Sequence, residues 1–172
     1  MTLILVGYMG SGKSSVGKRM AELINYDFID LDDYIEEKAE MSIKEIFKTR
    51  NEIFFRKLEH TSLKEVIEVN NAVIALGGGT PCYGINLSLI KNHPNCKIIY
   101  LKGSIKSLTT RLSSEKENRP LIAHLQTEGA LLEFIGKHLF ERAPFYEQSD
   151  IIIKTDNLSV DEVVASIVLE LF

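Results

Sequence analysis

The sequence predicts an α/β fold in three layers: a five-stranded parallel sheet flanked by helices on both faces. Two observations carry this expectation. Apolar runs of strand length alternate along the whole chain with segments of helical period, and strands separated by helices must run parallel beneath crossovers that cover both faces. The first such run, Leu3 to Val6, passes directly into a glycine-rich turn that opens a helix. That strand, turn and helix order is the usual start of a nucleotide-binding sheet.

Taken in order, the strands are Leu3 to Val6, Phe28 and Ile29, Ala72 to Leu76, Lys97 to Leu101, and Ile151 to Ile153. Helical pattern covers Lys13 to Asn25, Tyr34 to Lys38, Ser42 to Lys48, Glu52 to Glu68, Asn86 to Lys91, Ile105 to Leu112, Thr127 to Arg142 and Ser159 to Leu171. Ser42 with Glu45, and Ser159 with Glu162, form capping boxes that open two of these helices. Pro144 is expected to break the seventh helix after Arg142. The polar stretch Ser113 to Arg119, followed by Pro120, is the one long hydrophilic segment and reads as a lid or as an ordinary charged loop.

At 172 residues and 45% hydrophobic content, residues 1–172 fit one domain that buries roughly 70% of its unfolded surface. A net charge of −4 and a pI near 5.6 argue against nucleic-acid binding. Cys82 and Cys96 are too few for a disulfide scaffold, and His60, His93, His124 and His138 lack close metal-ligand spacing. No apolar run approaches a bilayer span and no leader pattern is evident at Met1. A cytoplasmic protein with reduced cysteines, no membrane partner and a monomeric state is expected.

Residues Gly7 to Ser14 read Gly-Tyr-Met-Gly-Ser-Gly-Lys-Ser, a full match to the phosphate-binding pattern G-x-x-x-x-G-K-[ST]. Gly10, Ser11 and Gly12 would aim backbone N–H groups at a polyphosphate, with Ser15 in the first turn of the helix behind them. Lys13 would meet the β- and γ-phosphates, and the Ser14 hydroxyl would ligate Mg²⁺. A plain glycine turn needs neither the lysine nor the hydroxyl.

In a parallel sheet, ligands bind beyond the carboxyl ends of the strands, so the residues that follow each strand are the ones to inspect. The second strand ends in Asp30-Leu31-Asp32-Asp33. Alternation would turn Asp30 and Asp32 the same way, toward Mg²⁺ waters and a substrate hydroxyl, and leave Asp33 to cap the next helix. Gly77-Gly78-Gly79 follows the third strand and would let a ligand lie against the main chain. Arg56 lies three positions before Glu59 on one helical face, a spacing that also suits a surface ion pair. Arg142 near the end of its helix could simply answer the helix dipole.

Together these residues resemble the shikimate kinase family, small P-loop enzymes that phosphorylate the 3-hydroxyl of shikimate with ATP. The resemblance runs nearly end to end, through Gly7 to Ser14, Phe28-Ile29-Asp30-Leu31-Asp32, Glu52-x-x-Phe55-Arg56-x-x-Glu59, Gly77 to Gly79, Arg119-Pro120-Leu121 and Arg142-x-Pro144-x-Tyr146. It implies a nucleoside monophosphate kinase-like fold, with a substrate-binding helical region at about 31–60 and a mobile lid at about 113–125. It implies that Asp30 supports Mg²⁺ through water, that Asp32 holds ring hydroxyls, and that Arg56 and Arg142 grip the substrate carboxylate beside Gly78 and Gly79. Arg119 would reach the ATP phosphates, while Arg111 and the loop near Thr155 to Leu158 would border adenine. The implied role is a step in chorismate and aromatic amino acid biosynthesis.

The bottom-up chemistry agrees. Two arginine forks and a hydroxyl-accepting aspartate suit a small polyhydroxy acid better than a nucleobase. A kinase of another acceptor, such as gluconate or a nucleoside monophosphate, is the nearest alternative. A GTP-dependent switch is further off, because no Asn-Lys-x-Asp guanine-reading motif appears.

Overall fold

The structure, a computed structural model, describes residues 1–115 and 121–171. Its five strands are β1 (Thr2–Val6), β2 (Asp27–Asp30), β3 (Ala72–Ala75), β4 (Cys96–Lys102) and β5 (Ile151–Lys154). All pair in parallel, in the order β2-β3-β1-β4-β5. The helices are α1 (Lys13–Ile24), α2 (Leu31–Ala39), α3 (Ile43–Thr49), α4 (Glu52–Val66), α5 (Asn86–Lys91), α6 (Ile105–Glu115), α7 (Glu128–Tyr146) and α8 (Val160–Leu171). A 3₁₀ turn at Thr80–Cys82 adds a short element that the sequence pattern does not signal.

The sheet is apolar on both faces because helices cover both. Leu3 and Leu5 of β1, with Val73, Ile99 and Leu101, pack against Val16 and Met20 of α1 and against Val163 and Ile167 of α8. Ile4 and Val6, with Ile74, Ile98 and Tyr100, face a larger core built from α2 to α7. Side chains alternate along each strand, so one continuous apolar run serves two cores. The edge strand β5 keeps the alternation visible, with Ile151 and Ile153 buried and Ile152 exposed.

Two boundaries differ from the sequence expectation. The segment after β2 has no loop: Asp30 itself caps α2, its Oδ1 accepting from Asp32 N at 3.1 Å, so Asp33 is a first-turn residue and not the cap. Asp32 is therefore placed by helical geometry and not by strand alternation. Further on, α7 runs through Pro144 to Tyr146. Proline removes one backbone donor and strains the preceding turn, but the ring of Tyr146 is fully buried against Tyr100 and its hydroxyl donates to Gly78 O at 2.6 Å. Tertiary packing holds the last turn that local sequence would end.

Ser113 to Glu115 belong to α6, and Ile122 is buried in the larger core. Arg119 and Pro120 lie outside the described residues.

Gly17 of α1 lies close against the sheet. A Cβ there would stand 2.5 Å from Phe28 Cε2 and 3.2 Å from Leu5 Cδ1. Gly17→Ala is therefore expected to destabilise the protein in thermal melts, because overpacking of about 1 to 3 kcal/mol outweighs the ~1 kcal/mol gain in helix propensity. In a Phe28→Leu background the same change should become neutral or stabilising.

Candidate functional site

The carboxyl ends of β1 and β3 deliver their loops to a cavity of about 530 Å³. Its walls include Gly10, Ser11, Gly12, Lys13, Ser14 and Ser15 on one side, and Asp30, Asp32, Gly77 and Gly78 on the other. The loop after β1 closes through Ser11 N to Tyr8 O at 3.1 Å, and Gly10 and Gly12 adopt φ of 76° and 92°. That left-handed backbone is cheap only for glycine. It opens α1 with N–H groups pointing into the cavity, an arrangement suited to phosphate oxygens. The buried Ser11 Oγ has no hydrogen-bond partner among the described residues. Lys13 Nζ donates to Gly7 O at 2.9 Å and to Tyr8 O at 3.1 Å, which holds the ammonium over the loop.

Ser14 and Asp30 meet across the cavity floor, Ser14 Oγ donating to Asp30 Oδ2 at 2.8 Å. A hydroxyl and a carboxylate oxygen form a hard donor pair that fits Mg²⁺, an ion that keeps waters and phosphate oxygens in its other positions. Among the described residues no group of three His, Cys, Asp or Glu could hold a metal ion by itself. Arg111 of α6 donates to Gly10 O at 3.2 Å and to Thr155 O at 3.1 Å, bridging the phosphate loop to the loop after β5. Thr155 and Leu158 line the same cavity, as do Ser159, read from the sequence only as a helix cap, and Val160 and Val163, which the sequence pattern does not single out.

Gly77, Gly78 and Gly79 run beneath three charged groups. A Cβ at Gly77 would lie 2.9 Å from Asp32 Oδ1, one at Gly78 would lie 3.2 Å from Arg142 Nη1, and one at Gly79 would lie 3.2 Å from Arg56 Nη2 and 3.6 Å from Arg142 Nη2. The triple thus brings Asp32, Arg56 and Arg142 around one strip of bare main chain. Arg56 is held from below by Glu59, with Nη1 to Oε2 at 2.9 Å. Glu59 is only 1% exposed, and its other oxygen accepts from Thr80 Oγ1 at 2.7 Å. This is a buried, hydrogen-bonded pair and not the surface ion pair that its spacing alone allows.

Arg142 stands 5.8 Å from the ring centroid of Tyr8, a phosphate-loop residue whose hydroxyl pairs with His138 Nδ1 at 3.1 Å. Burial pushes the Tyr8 phenol up to about 12, while burial and then Arg142 hold His138 below its ordinary value. Sequence reasoning does not find Tyr8, Thr80 or the bridging role of Glu59, since nothing local distinguishes them from core residues.

Asp32 is the strained charge of the site. Burial, and next the neighbouring Asp30, push its carboxyl up to about 6, against an opposing pull from Lys13. An acid raised in the fold binds its proton more tightly there than in the unfolded chain. The stability it contributes is present below the ordinary carboxylate range and is lost as pH rises through about 6. Asp32→Asn should therefore melt higher than the parent at pH 8, by an amount on the order of 2 kcal/mol, with the gap closing toward pH 4.5. A constant gap across that range in paired thermal melts would contradict the burial account.

Comparison with known proteins identifies the family. The profile of the shikimate kinase family matches residues 9–172. The chain is 44% identical over 166 residues to a shikimate kinase of Flavobacterium johnsoniae, covering 96% of this chain and 95% of that one. Among solved structures it is similar to shikimate kinase from Bacteroides thetaiotaomicron, with a TM-score of 0.92, 36% identity, and 99% and 98% of the two chains covered. It is also similar to shikimate kinase from Acinetobacter baumannii in complex with shikimate, with a TM-score of 0.87, 30% identity, and 99% and 92% covered.

Proposed function

This chain belongs to the shikimate kinase family, and we propose the following division of labour among its residues in moving the γ-phosphoryl group of ATP to the 3-hydroxyl of shikimate. The observation that carries the assignment is the glycine strip, where Asp32, Arg56 and Arg142 converge beside the phosphate loop. Gluconate and nucleotide acceptors, and a GTP switch, lose their standing against a family match that spans nearly the whole chain.

ATP lies along the cavity with its phosphates over Gly10 to Ser15 and its base toward Arg111, Thr155 and Leu158. Lys13 leaves its loop carbonyls for the phosphates, where its charge offsets that of the migrating group. Mg²⁺ would be held by Ser14 Oγ and, through water, by Asp30, and would supply charge neutralisation to the phosphate oxygens.

Shikimate sits on the acceptor side formed by residues 31–60 together with the glycine strip. Its planar carboxylate meets the forks of Arg56 and Arg142, and its hydroxyls meet Asp32 and the main chain at Gly78 and Gly79. Ionised Asp32 accepts a hydrogen bond from the 3-hydroxyl and aligns it with the phosphate; it can also take the proton as the new P–O bond forms. Arg119, in the lid that the family resemblance implies at about 113–125, would complete the phosphate charge cover. A monomer is the proposed working unit. No described helix is long and apolar enough to cross a membrane, and the cytoplasm is the proposed compartment.

An ADP-release assay with ATP and Mg²⁺ should show turnover with shikimate and none above background with gluconate or AMP. Lys13→Ala should abolish transfer while the melting profile stays intact. Arg56→Lys keeps the charge but loses the fork, so calorimetric shikimate binding should weaken by about 1.5 to 3 kcal/mol with ATP affinity little changed. Equal weakening of both ligands would make Arg56 a structural residue.

Because Asp32 works ionised, kcat/KM should fall as pH drops through about 6. Asp32→Asn should depress turnover more than shikimate binding, and its residual activity should lack that acid limb.

A further inference from the structure

We infer that Tyr83 is a positioning residue for acceptor recognition: its ring holds the Arg56 guanidinium so that one N–H edge faces the carboxylate of the acid. The inference rests on the reading of Arg56 given above and deepens it. Arg56 Cζ lies 4.6 Å from the Tyr83 ring centroid, the shortest cation-to-ring approach among the described residues; Phe55, the neighbour on α4, is at 5.3 Å.

The in-plane partners of Arg56 do not by themselves fix the group. Glu59 accepts from Nη1 at 2.9 Å, whereas Nε faces Glu52 Oε1 at 3.5 Å without a hydrogen bond. A planar cation held by a short bond at one nitrogen can still tilt about that bond. A ring stacked on its face removes the tilt, excludes water from that face and leaves the edges as the donating surface. The edge so presented is the one beside Gly79, where Nη2 would meet an added Cβ at 3.2 Å.

Core packing does not account for the ring, since Tyr83 is 44% exposed. Its backbone, by contrast, is fixed. Tyr83 N donates to Thr80 O at 3.4 Å across the 3₁₀ turn, Asn86 N donates to Tyr83 O at 3.2 Å, and the buried Asn86 side chain donates to Thr80 O at 2.9 Å. Thr80 in turn donates to the same Glu59 that grips Arg56. The turn that carries the ring and the carboxylate that carries the guanidinium are therefore locked to each other through one hydroxyl.

The test is steady-state kinetics of the full chain with Tyr83→Ala, Tyr83→Leu and Tyr83→Phe. Ala and Leu should raise KM for shikimate about three- to tenfold, with KM for ATP and saturating kcat within about twofold of the parent. Phe, which keeps the ring and loses the hydroxyl, should stay within about twofold of the parent throughout. The chain has no tryptophan, so Tyr83→Trp adds a single emission reporter. Its emission should change on titration with shikimate, and the response should vanish when Arg56→Met is added. If Leu preserves KM as well as Phe does, the ring is only filler and the inference fails; it fails too if no variant changes KM. Should the parent not phosphorylate shikimate at all, the functional reading fails before any variant is made, and the inference goes with it.

Discussion

The phosphate loop and the glycine strip are placed by one ladder, the parallel pairing of β3 and β4 to either side of β1. Parallel pairing forces all strands to end on the same side of the sheet, so the loops after β1, β2 and β3 cannot avoid one another. The ladder continues past β3 itself, with Leu76 N donating to Leu5 O at 3.1 Å. That bond sets the glycine strip directly beside the phosphate loop. The connection from β1 turns to one side through α1 and β2, while β4 and β5 lie on the other, so the cavity opens where the strand order reverses.

Convergence of this kind concentrates charge, and the site answers the cost in two ways. Glu59 is almost fully buried and fully satisfied, by Arg56 on one oxygen and Thr80 on the other. Removing a single partner would leave a buried charge exposed to its full desolvation penalty. Asp32 has no such clamp among the described residues. It sits between Asp30 and the glycine strip with only the opposing influence of Lys13, and its proton affinity rises accordingly. A rigid acid behind the arginine and a strained acid facing the cavity suit the two tasks proposed for them, holding a fork in place and answering a substrate hydroxyl.

Several parts of this arrangement are legible in the sequence for local reasons. The strands read as continuous apolar runs because both sheet faces are covered, and the two capping boxes form as their spacing requires. Gly10, Gly12, Lys13 and Ser14 are readable because the phosphate loop is a local structure whose geometry depends on residues next to one another. The family resemblance adds Asp32, Arg56 and Arg142 as a set. Spacing alone leaves each of those three with a surface or capping role.

What the sequence determined by itself is therefore the alternation of elements, the sheet class and the phosphate loop, all consequences of periodicity and near-neighbour geometry. Only the tertiary structure decided the rest, because each remaining feature depends on contacts between residues distant in the chain. Packing of Tyr146 against Tyr100 and Gly78 carries α7 through Pro144 and so fixes the turn that bears Arg142. The absence of a loop after β2 sets Asp32 in a helix and over Gly77. Thr80, reaching Glu59 from another element, turns an ordinary i to i+3 pair into the buried anchor of Arg56. No period in the sequence records such contacts, since they exist only once the sheet has brought its strand ends together.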